Sequence, residues 1–193
     1  IFYNTQKNFY KICKNIKFDI SKAAFTLIRQ NPPFNMNYIN STYFLDSIDH
    51  KKVINNPSAI RNVSEKFYSS KFLKFMPPTI FTNSIIDIYK HYKKYKKIVL
   101  KPLDGYAGKN IIFLTKNFSK SKVSLFLKKY NYLMVQKYLK KVKFGDKRIF
   151  IINGKVKGAI RRIPKTGSNL SNISQGGKAF QTNLNKRELK ISS

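Results

Sequence analysis

The chain has 193 residues and a formal net charge of +31, because 39 Lys and Arg stand against 8 Asp and Glu. A hydrophobic fraction of 42%, with 16 Phe and 12 Tyr, is ample for a packed core and argues against a disordered chain. No apolar run approaches the about 18 to 20 residues that span a bilayer. The single cysteine, Cys13, excludes an intramolecular disulfide framework, so we expect a folded cytoplasmic protein with no membrane partner.

The basic excess has two interpretations. A surface selected to bind a polyanion would produce it. An AT-rich genome would produce it on any fold, because Lys, Asn, Ile, Phe and Tyr, which A- and T-rich codons encode, supply 103 of the 193 residues and Trp is absent. The composition favours codon drift, and we therefore expect only nonspecific binding of nucleic acid.

Short strand-like and helix-like runs alternate along the chain, a pattern that indicates an α/β architecture. Ser84, with Asp87 three residues later, is the expected N-cap of one helix. In chain order we expect strands at 24–29, 53–55, 79–82, 98–103, 110–115 and 132–139, helices at 38–48, 64–73, 84–95 and 119–130, and a hairpin at 148–163.

A turn with two glycines, DGYAG at 104–108, joins the strands expected at 98–103 and 110–115. Glycine lets backbone N–H groups approach an anion closely, and Lys101 in the preceding strand adds a fixed positive charge. The spacing is not that of a P-loop, and an ordinary glycine-rich hairpin has the same appearance.

The hairpin RIFIINGKVKGAIRRI places Asn153-Gly154, the preferred pair for a type I′ turn, between two β-branched runs. The two-residue strand period puts Asp146 and Arg148 on one face, and a regular two-residue turn adds Arg161 to that face while Arg162 lies on the other. Three of the six arginines fall here. Arginine offers a bidentate fork that lysine lacks, although a solvated basic strand remains an alternative.

Taken together, the motifs resemble the prokaryotic-type glutathione synthetases, which are ATP-grasp ligases. The matching segments keep the family order and spacing over roughly residues 24–188, and KPLDG, GDKR and RIP at these separations are the most specific. The segments are LIRQNPPFNMNYINSTYFLD, VINNPSAIRNVSEKFYSSKF, IVLKPLDGYAGKNIIFL, LMVQKYL, FGDKRIFIINGKVKGAIRRIP and the loop that ends in QGGK.

The resemblance implies an α/β chain with an incomplete ATP-grasp fold, preceded by the end of a pre-ATP-grasp substrate domain. We expect residues 1–60 to belong to the substrate-side domain and residues 61–193 to the ATP-grasp domain without its C-terminal part. The family's N-terminal strands would precede Ile1, and its acidic and asparagine ligands for Mg²⁺ or Mn²⁺ would follow Ser193. The chain is therefore expected to be an internal piece of a longer enzyme, inactive alone and with no metal ligand of its own.

The resemblance also implies an activity. The family joins γ-glutamylcysteine to glycine with ATP and Mg²⁺, through an acyl phosphate formed on the dipeptide carboxylate. Chemistry of this kind needs cations around the triphosphate and the acceptor carboxylates, and a lid that excludes water. ATP, γ-glutamylcysteine and glycine are thus the expected partners, and the oligomeric state is left open, a homo-oligomer included.

Residue by residue, the resemblance implies two sets of site residues. Those that match nucleotide-binding positions are Lys66, Lys101, Gly105, Tyr106, Ala107, Gly108, Gln136, Lys137, Tyr138, Leu139 and Asp146. Those that match substrate-binding positions are Arg29, Arg148, Arg162 and Lys178, of which Arg148 and Arg162 also match catalytic positions.

The strand period and the resemblance disagree about the hairpin, since the period selects Arg161 and the resemblance selects Arg162. A bulge in the second strand would reconcile the two. Residues 165–178 match the family's mobile lid, but Leu170 and Lys178 stand where the family usually has arginines, and Ser171 stands in place of a glycine.

Three alternatives remain open. The chain could be another ATP-grasp carboxylate–amine ligase, although the NPPF and RIP segments are less general than the nucleotide motifs. It could be a basic nucleic-acid-binding module, although its aromatics fall in apolar runs such as FTLI and RIFII. It could also be a decayed enzyme that still folds, as Leu170 suggests.

Overall fold

The computed structural model describes residues 13–192, and the chain divides into two compact units, one ending at Asn62 and one beginning at Val63. In the first unit, β1 and β2 pair in parallel. The elements of this unit are β1 (Thr26–Leu27), α1 (Met36–Phe44), β2 (Val53–Ile54) and α2 (Pro57–Asn62), with 3-10 turns at Ile20–Lys22, Leu45–Ser47 and His50–Lys52.

Helix α2 was not expected from the sequence, yet its start has a recognisable signal. The Asn56 side chain accepts a hydrogen bond from the Ala59 backbone N–H at 2.9 Å, as an N-cap does. Pro57 then occupies the first helical position, where a missing N–H costs nothing. The Asn-Pro pair therefore ends a strand and starts a helix.

The second unit contains a four-stranded antiparallel sheet in the order β3-β6-β4-β5. Helices α3 and α4 connect its strands. The bounds are β3 (Thr79–Thr82), α3 (Ile85–Tyr95), β4 (Ile98–Pro102), β5 (Ile112–Leu114), α4 (Lys120–Tyr130) and β6 (Leu133–Lys137).

Alternation along these strands gives the sheet one apolar face and one mixed face. The apolar face and the two helices together form a core of fully or almost fully buried residues: Ile88, Ile98, Leu100, Leu114, Val123, Leu133 and Val135. Because side chains alternate across a strand, the residues between these lie on the other face, and Val99, Lys101 and Gln136 are among them. The core thus fixes which side chains face away from the helices.

The helix starts follow the expected capping chemistry. The Ser84 side chain accepts a hydrogen bond from the Asp87 backbone N–H at 3.3 Å, which confirms the expected N-cap of α3. Ser119 caps α4 in the same way through the Lys122 backbone N–H. None of the helices in residues 13–192 is long and apolar enough to cross a membrane.

A three-stranded antiparallel sheet, in the order β7-β8-β9, forms the rest of the second unit with a last helix. Asn153 and Gly154 have φ angles of 49° and 70°, so the expected type I′ turn is confirmed. The elements are β7 (Asp146–Ile152), β8 (Lys155–Ile163), β9 (Lys178–Gln181) and α5 (Lys186–Ser192).

One expected helix needs correction. The helix expected at 64–73 is instead a 3-10 segment, Phe67–Phe75, with non-helical dihedral angles at Phe72. Aromatic packing sets this geometry, since the Phe67 ring meets Phe81 edge-on at 5.5 Å and Tyr68 packs on Phe72. The loop that matches the lid contains a 3-10 turn at Ile173–Gln175, and β9 begins at Lys178.

The expectation that the chain is an internal piece rests on Ile1 and Ser193. Both lie outside the residues that the structure describes.

Substitution of a core leucine tests the assignment of the apolar face. Leu133→Ala should lower the free energy of unfolding by about 3 kcal/mol, because it leaves a cavity beside fully buried neighbours. The matched control is Leu125→Ala on α4, where the side chain is 70% exposed and we expect a loss of about 0.5 kcal/mol or less. Urea denaturation followed by circular dichroism measures both, and equal losses would contradict the assigned core.

Candidate active site

A cavity of about 360 Å³ lies on the mixed face of the four-stranded sheet. This volume is in the range of small-molecule sites, which are typically about 300 to 1,000 Å³. Its lining comes from β4, β6, the start of β7, the segment after β6 and the loop before β9: Pro77, Val99, Lys101, Ile111, Phe113, Gln136, Lys137, Tyr138, Leu139, Lys141, Val142, Gly145, Asp146 and Asn169 to Asn172.

One part of the cavity wall is apolar and aromatic. Val99, Ile111 and Leu139 contribute aliphatic surface, and the Phe113 ring meets the Tyr138 ring edge-on at 6.2 Å. The Tyr138 hydroxyl donates to Asn169 Oδ1 at 2.9 Å, so the loop before β9 is tied to the segment after β6. A flat aromatic group suits this pocket, because it would fill the space between apolar walls.

Lys101 is one of three lysines in the cavity lining, together with Lys137 and Lys141. Its Nζ donates to the Gln136 Oε1 at 2.6 Å, and Gln136 is 7% exposed. Burial lowers the pKa of Lys101 below its ordinary value, the positive charge of Lys66 lowers it further, and Glu65 opposes the shift. An anion bound beside the ammonium would favour its charged form and so oppose both lowering effects.

Lys66 and the glycine turn lie next to this cation. The Lys66 ammonium donates to the Gly105 carbonyl oxygen and lies 3.9 Å from a carboxylate oxygen of Glu65. In the turn, Ala107 and Gly108 have φ angles of 51° and 75°, which is the left-handed geometry that exposes backbone N–H groups. The structure therefore brings the two expected nucleotide-binding lysines and the turn 105–108, including Tyr106, into one neighbourhood.

The loop before β9 packs against the glycine turn. A Cβ atom at Gly108 would lie 2.9 Å from Asn172 Oδ1 and 3.4 Å from a methyl of Leu170. Ser171 between them is buried. Part of the loop expected to be a lid is thus in contact with the turn that would face phosphates, and Asn169 and Asn172 are wall residues that the sequence analysis missed.

The hairpin contains a bulge that places Arg162 beside Asp146. Phe150 pairs with Gly158 and Ile151 pairs with Val156, so Lys157 is an extra residue in β8. Past the bulge, Asp146 is directly opposite Arg162, and the guanidinium binds the carboxylate with Nε–Oδ1 and Nη2–Oδ2 distances of 2.7 and 2.9 Å. The bulge considered in the sequence analysis is confirmed.

The same register corrects the expected face of Arg161. It pairs with Lys147 and therefore lies on the face opposite to Arg162. Its Nη2 donates to the Phe144 carbonyl oxygen at 3.1 Å. The simple two-residue period gave the wrong arginine because one extra residue inverts the faces of everything beyond it.

Other expected site residues lie outside the cavity lining. Arg148 shares the strand face of Asp146 and is exposed, and its guanidinium has no hydrogen bond or ion pair with any described residue. Lys178 is the exposed first residue of β9, opposite Ile163. Arg29 follows β1 in the first unit and is exposed.

Solved structures that superpose on this chain show its fold. D-cycloserine synthetase DcsG superposes with a TM-score of 0.67 at 14% identity, over 93% of this chain and 66% of its own. The ATP-grasp ligase PsnB, in a complex that includes Mg and ADP, superposes with a TM-score of 0.57 at 15% identity, over 81% and 50% of the two chains. The chain has the ATP-grasp fold, as the sequence motifs predict.

The family follows from the sequence. Residues 65–193 match the model of the prokaryotic glutathione synthetase ATP-grasp domain, and residues 2–61 match that of the prokaryotic glutathione synthetase N-terminal domain. The chain belongs to the prokaryotic glutathione synthetase family, and the resemblance noted from its motifs is confirmed.

Among curated relatives, the glutathione synthetase of Mesorhizobium japonicum is 36% identical over 94% of this chain and 59% of the relative. That of Buchnera aphidicola subsp. Schizaphis graminum is 35% identical over 97% and 61%. The chain therefore spans about 60% of the length of these relatives.

Gly145, at the start of the hairpin, tests how the bulge positions Arg162. Its φ is 92°, and a Cβ there would collide with the Arg162 carbonyl oxygen, so Gly145→Ala should lower the free energy of unfolding by about 2 kcal/mol or more. Gly158→Ala is the control, because no atom lies within 4 Å of its added Cβ and its φ is not in the left-handed region. Thermal denaturation compares the two, and tolerance of Gly145→Ala would show that the close approach of Gly145 to Arg162 is absent.

Proposed function

We propose that the protein is a glutathione synthase, which uses ATP to join γ-glutamylcysteine to glycine through an acyl phosphate. The observation that carries the proposal is the Lys101 ammonium, largely buried beside Lys66 in the wall of a cavity that suits a flat base. Membership of the prokaryotic glutathione synthetase family selects the substrates. In this proposal, residues 1–60 form the end of the substrate-side domain and residues 61–193 form the ATP-grasp domain.

The adenine would bind against the apolar wall and the backbone of residues 136–139. The backbone N–H of Tyr138 already donates to the Lys97 carbonyl at 2.8 Å, and that of Lys137 donates to Pro78 at 2.9 Å. Leu139 differs, because among the described residues its N–H has no acceptor. We therefore assign the adenine contact in this segment to the Leu139 backbone.

The phosphates would lie between Lys101, Lys66 and the turn 105–108. Two ammonium groups beside the turn form a cationic wall, and charge-assisted hydrogen bonds to phosphate oxygens are the strong kind. Binding an anion here stabilises the charged form of Lys101, which burial disfavours. The Coulomb attraction is therefore strongest where the protein has excluded water.

The arginines of the hairpin would hold the reacting carboxylates. When the dipeptide carboxylate attacks the γ-phosphorus, ADP leaves, and the glycine amine then displaces phosphate from the acyl carbon. Both steps develop negative charge on oxygen, which a fixed guanidinium stabilises. Arg162 is fixed by the bidentate contact with Asp146, while Arg148 is free to meet substrate. We assign Arg29 and Lys178 to substrate binding on the family match, and the loop 165–178 to excluding water from the acyl phosphate.

Mg²⁺ would accompany ATP and neutralise part of the phosphate charge. Among residues 13–192, no group of three or more His, Cys, Asp or Glu is placed to hold a metal ion. Near the site, both Asp146 oxygens engage Arg162, and the Glu65 side chain is 77% exposed. We therefore assign no metal ligand to these residues. We place the enzyme in the cytoplasm, in keeping with its single cysteine.

The direct test is release of phosphate by the protein as it is encoded, with ATP and Mg²⁺ present. Release should require γ-glutamylcysteine and glycine together. Arg162→Lys should lower kcat/KM by at least about tenfold, because lysine keeps the charge but loses the bidentate geometry.

The control for this variant is Arg187→Lys, an exposed arginine of α5, which should change kcat/KM by less than about twofold. Phosphate release that depends on a different carboxylate or amine would assign the protein to another kind of ATP-grasp ligase. Equal effects of the two substitutions would remove Arg162 from the site.

A further inference from the structure

The register of the four-stranded sheet places three polar side chains in a row across three strands. Thr79 on β3 is directly opposite Gln136 on β6, and Gln136 is directly opposite Val99 on β4. Lys101 lies two residues beyond Val99, so its side chain shares the face of Gln136 and is its diagonal neighbour. Thr79, Gln136 and Lys101 therefore line one face, away from the hydrophobic core.

Hydrogen bonds connect this row in one direction. The Thr79 hydroxyl donates to the Pro77 carbonyl oxygen at 2.6 Å, and its oxygen accepts from Gln136 Nε2 at 2.9 Å. Gln136 Oε1 then accepts from Lys101 Nζ at 2.6 Å. We call this chain of contacts the Thr79 relay.

Both ends of the relay impose the same orientation on the Gln136 amide. A carbonyl oxygen can only accept a hydrogen bond, so the Thr79 hydroxyl must donate to the Pro77 carbonyl. The Thr79 oxygen can then only accept a hydrogen bond from Gln136. An ammonium can only donate, so Lys101 needs the amide oxygen. A flipped amide would set an NH₂ group against the ammonium and leave the Thr79 oxygen without a donor.

The orientation of the Gln136 amide matters because few other groups stabilise the charged form of Lys101. Gln136 Oε1 is the hydrogen-bond acceptor that the described residues provide to its ammonium. Burial and the Lys66 charge both disfavour the ammonium form, and the compensating carboxylate, Glu65, is mostly exposed. At a site with little water, losing a correctly oriented acceptor costs the desolvation energy of the donor.

We propose that Thr79 is a positioning residue, which fixes the Gln136 amide so that its oxygen holds the Lys101 ammonium in the wall of the cavity. Thr79 does not line the cavity and belongs to no site set that the motifs indicate. The role in nucleotide binding rests on the proposed function. The relay itself is a property of the protein without ligand, and it can be tested without ATP.

Two substitutions separate the hydroxyl from the rest of the side chain. Thr79→Val keeps the branched shape and removes the hydroxyl, and Thr79→Ser keeps the hydroxyl and removes the methyl. The first measurement is the pKa of Lys101, which is determined by NMR titration of protein with ¹³C- and ¹⁵N-labelled lysine. The Lys101 signal is assigned by its absence in Lys101→Arg. The second is the dissociation constant of ATP by isothermal titration calorimetry.

We expect Thr79→Val to lower the pKa of Lys101 and to weaken ATP binding by about tenfold, the value of one charge-assisted hydrogen bond. Thr79→Ser should leave both close to the unsubstituted protein. A Lys101 pKa that Thr79→Val leaves unchanged, or that Thr79→Ser lowers as far, would overturn the relay. If the unsubstituted protein binds no ATP, the glutathione synthase proposal fails, while the Lys101 titration still decides the relay.

Gln136→Glu provides a second test, should Thr79→Val fail to fold. Either carboxylate oxygen can accept from Lys101, so orientation is no longer needed and the pKa of Lys101 should rise. In the Gln136→Glu protein, neither Thr79→Ser nor Thr79→Ala should change the pKa of Lys101. In the protein that keeps Gln136, Thr79→Ala should lower the pKa of Lys101. An equal effect of Thr79→Ala in both backgrounds would contradict a role in orienting the amide.

Discussion

The contact between the Lys101 ammonium and the Gln136 side chain is the interaction on which the site depends. It places a positive charge in a wall where water is scarce, which is unfavourable by itself and becomes favourable when an anion arrives. The same strands make this possible by alternation. Their other face buries Ile98, Leu100 and Val135 against two helices. Because Lys101 directly follows Leu100 in β4, the core also fixes the backbone position of Lys101.

The hairpin fixes the orientation of a second cationic group, the Arg162 guanidinium. One extra residue in β8 changes the face of Arg162 and brings it opposite Asp146, where two hydrogen bonds orient it. Gly145 lets the chain pass close to the Arg162 backbone at that point. In the proposed function, this fixed orientation would let the guanidinium stabilise developing negative charge. Sheet register thus sets both cationic groups, one by regular alternation and one by a bulge.

Sequence reasoning succeeded where one local signal decides the structure. Asn153-Gly154 determined its turn, and Ser84 determined a helix start. It failed where contacts between residues distant in sequence determine the structure. An example is the 3-10 segment Phe67–Phe75, which packs on Phe81 of β3. The face of the hairpin arginines could be obtained from the family motifs but not from periodicity, since a bulge has no composition of its own.

The site shows the same division. Motifs named Lys66, Lys101 and the 105–108 turn, and the structure places them together. Nothing in the sequence indicated Thr79, because its role depends on which residue the sheet register sets opposite to it. Asn172 was missed for the same reason, since only the folded loop brings it to Gly108.

The most direct test of this account compares two lysines that differ in place and not in charge. Calorimetric titration with ATP at physiological ionic strength should show that Lys101→Met weakens binding by more than about tenfold. Lys128→Met, at an exposed position of α4 on the helical side of the sheet, should change it by less than about twofold. Equal losses at the two positions would mean that ATP is attracted by the diffuse charge of a strongly basic chain, and the formed nucleotide site described above would be contradicted.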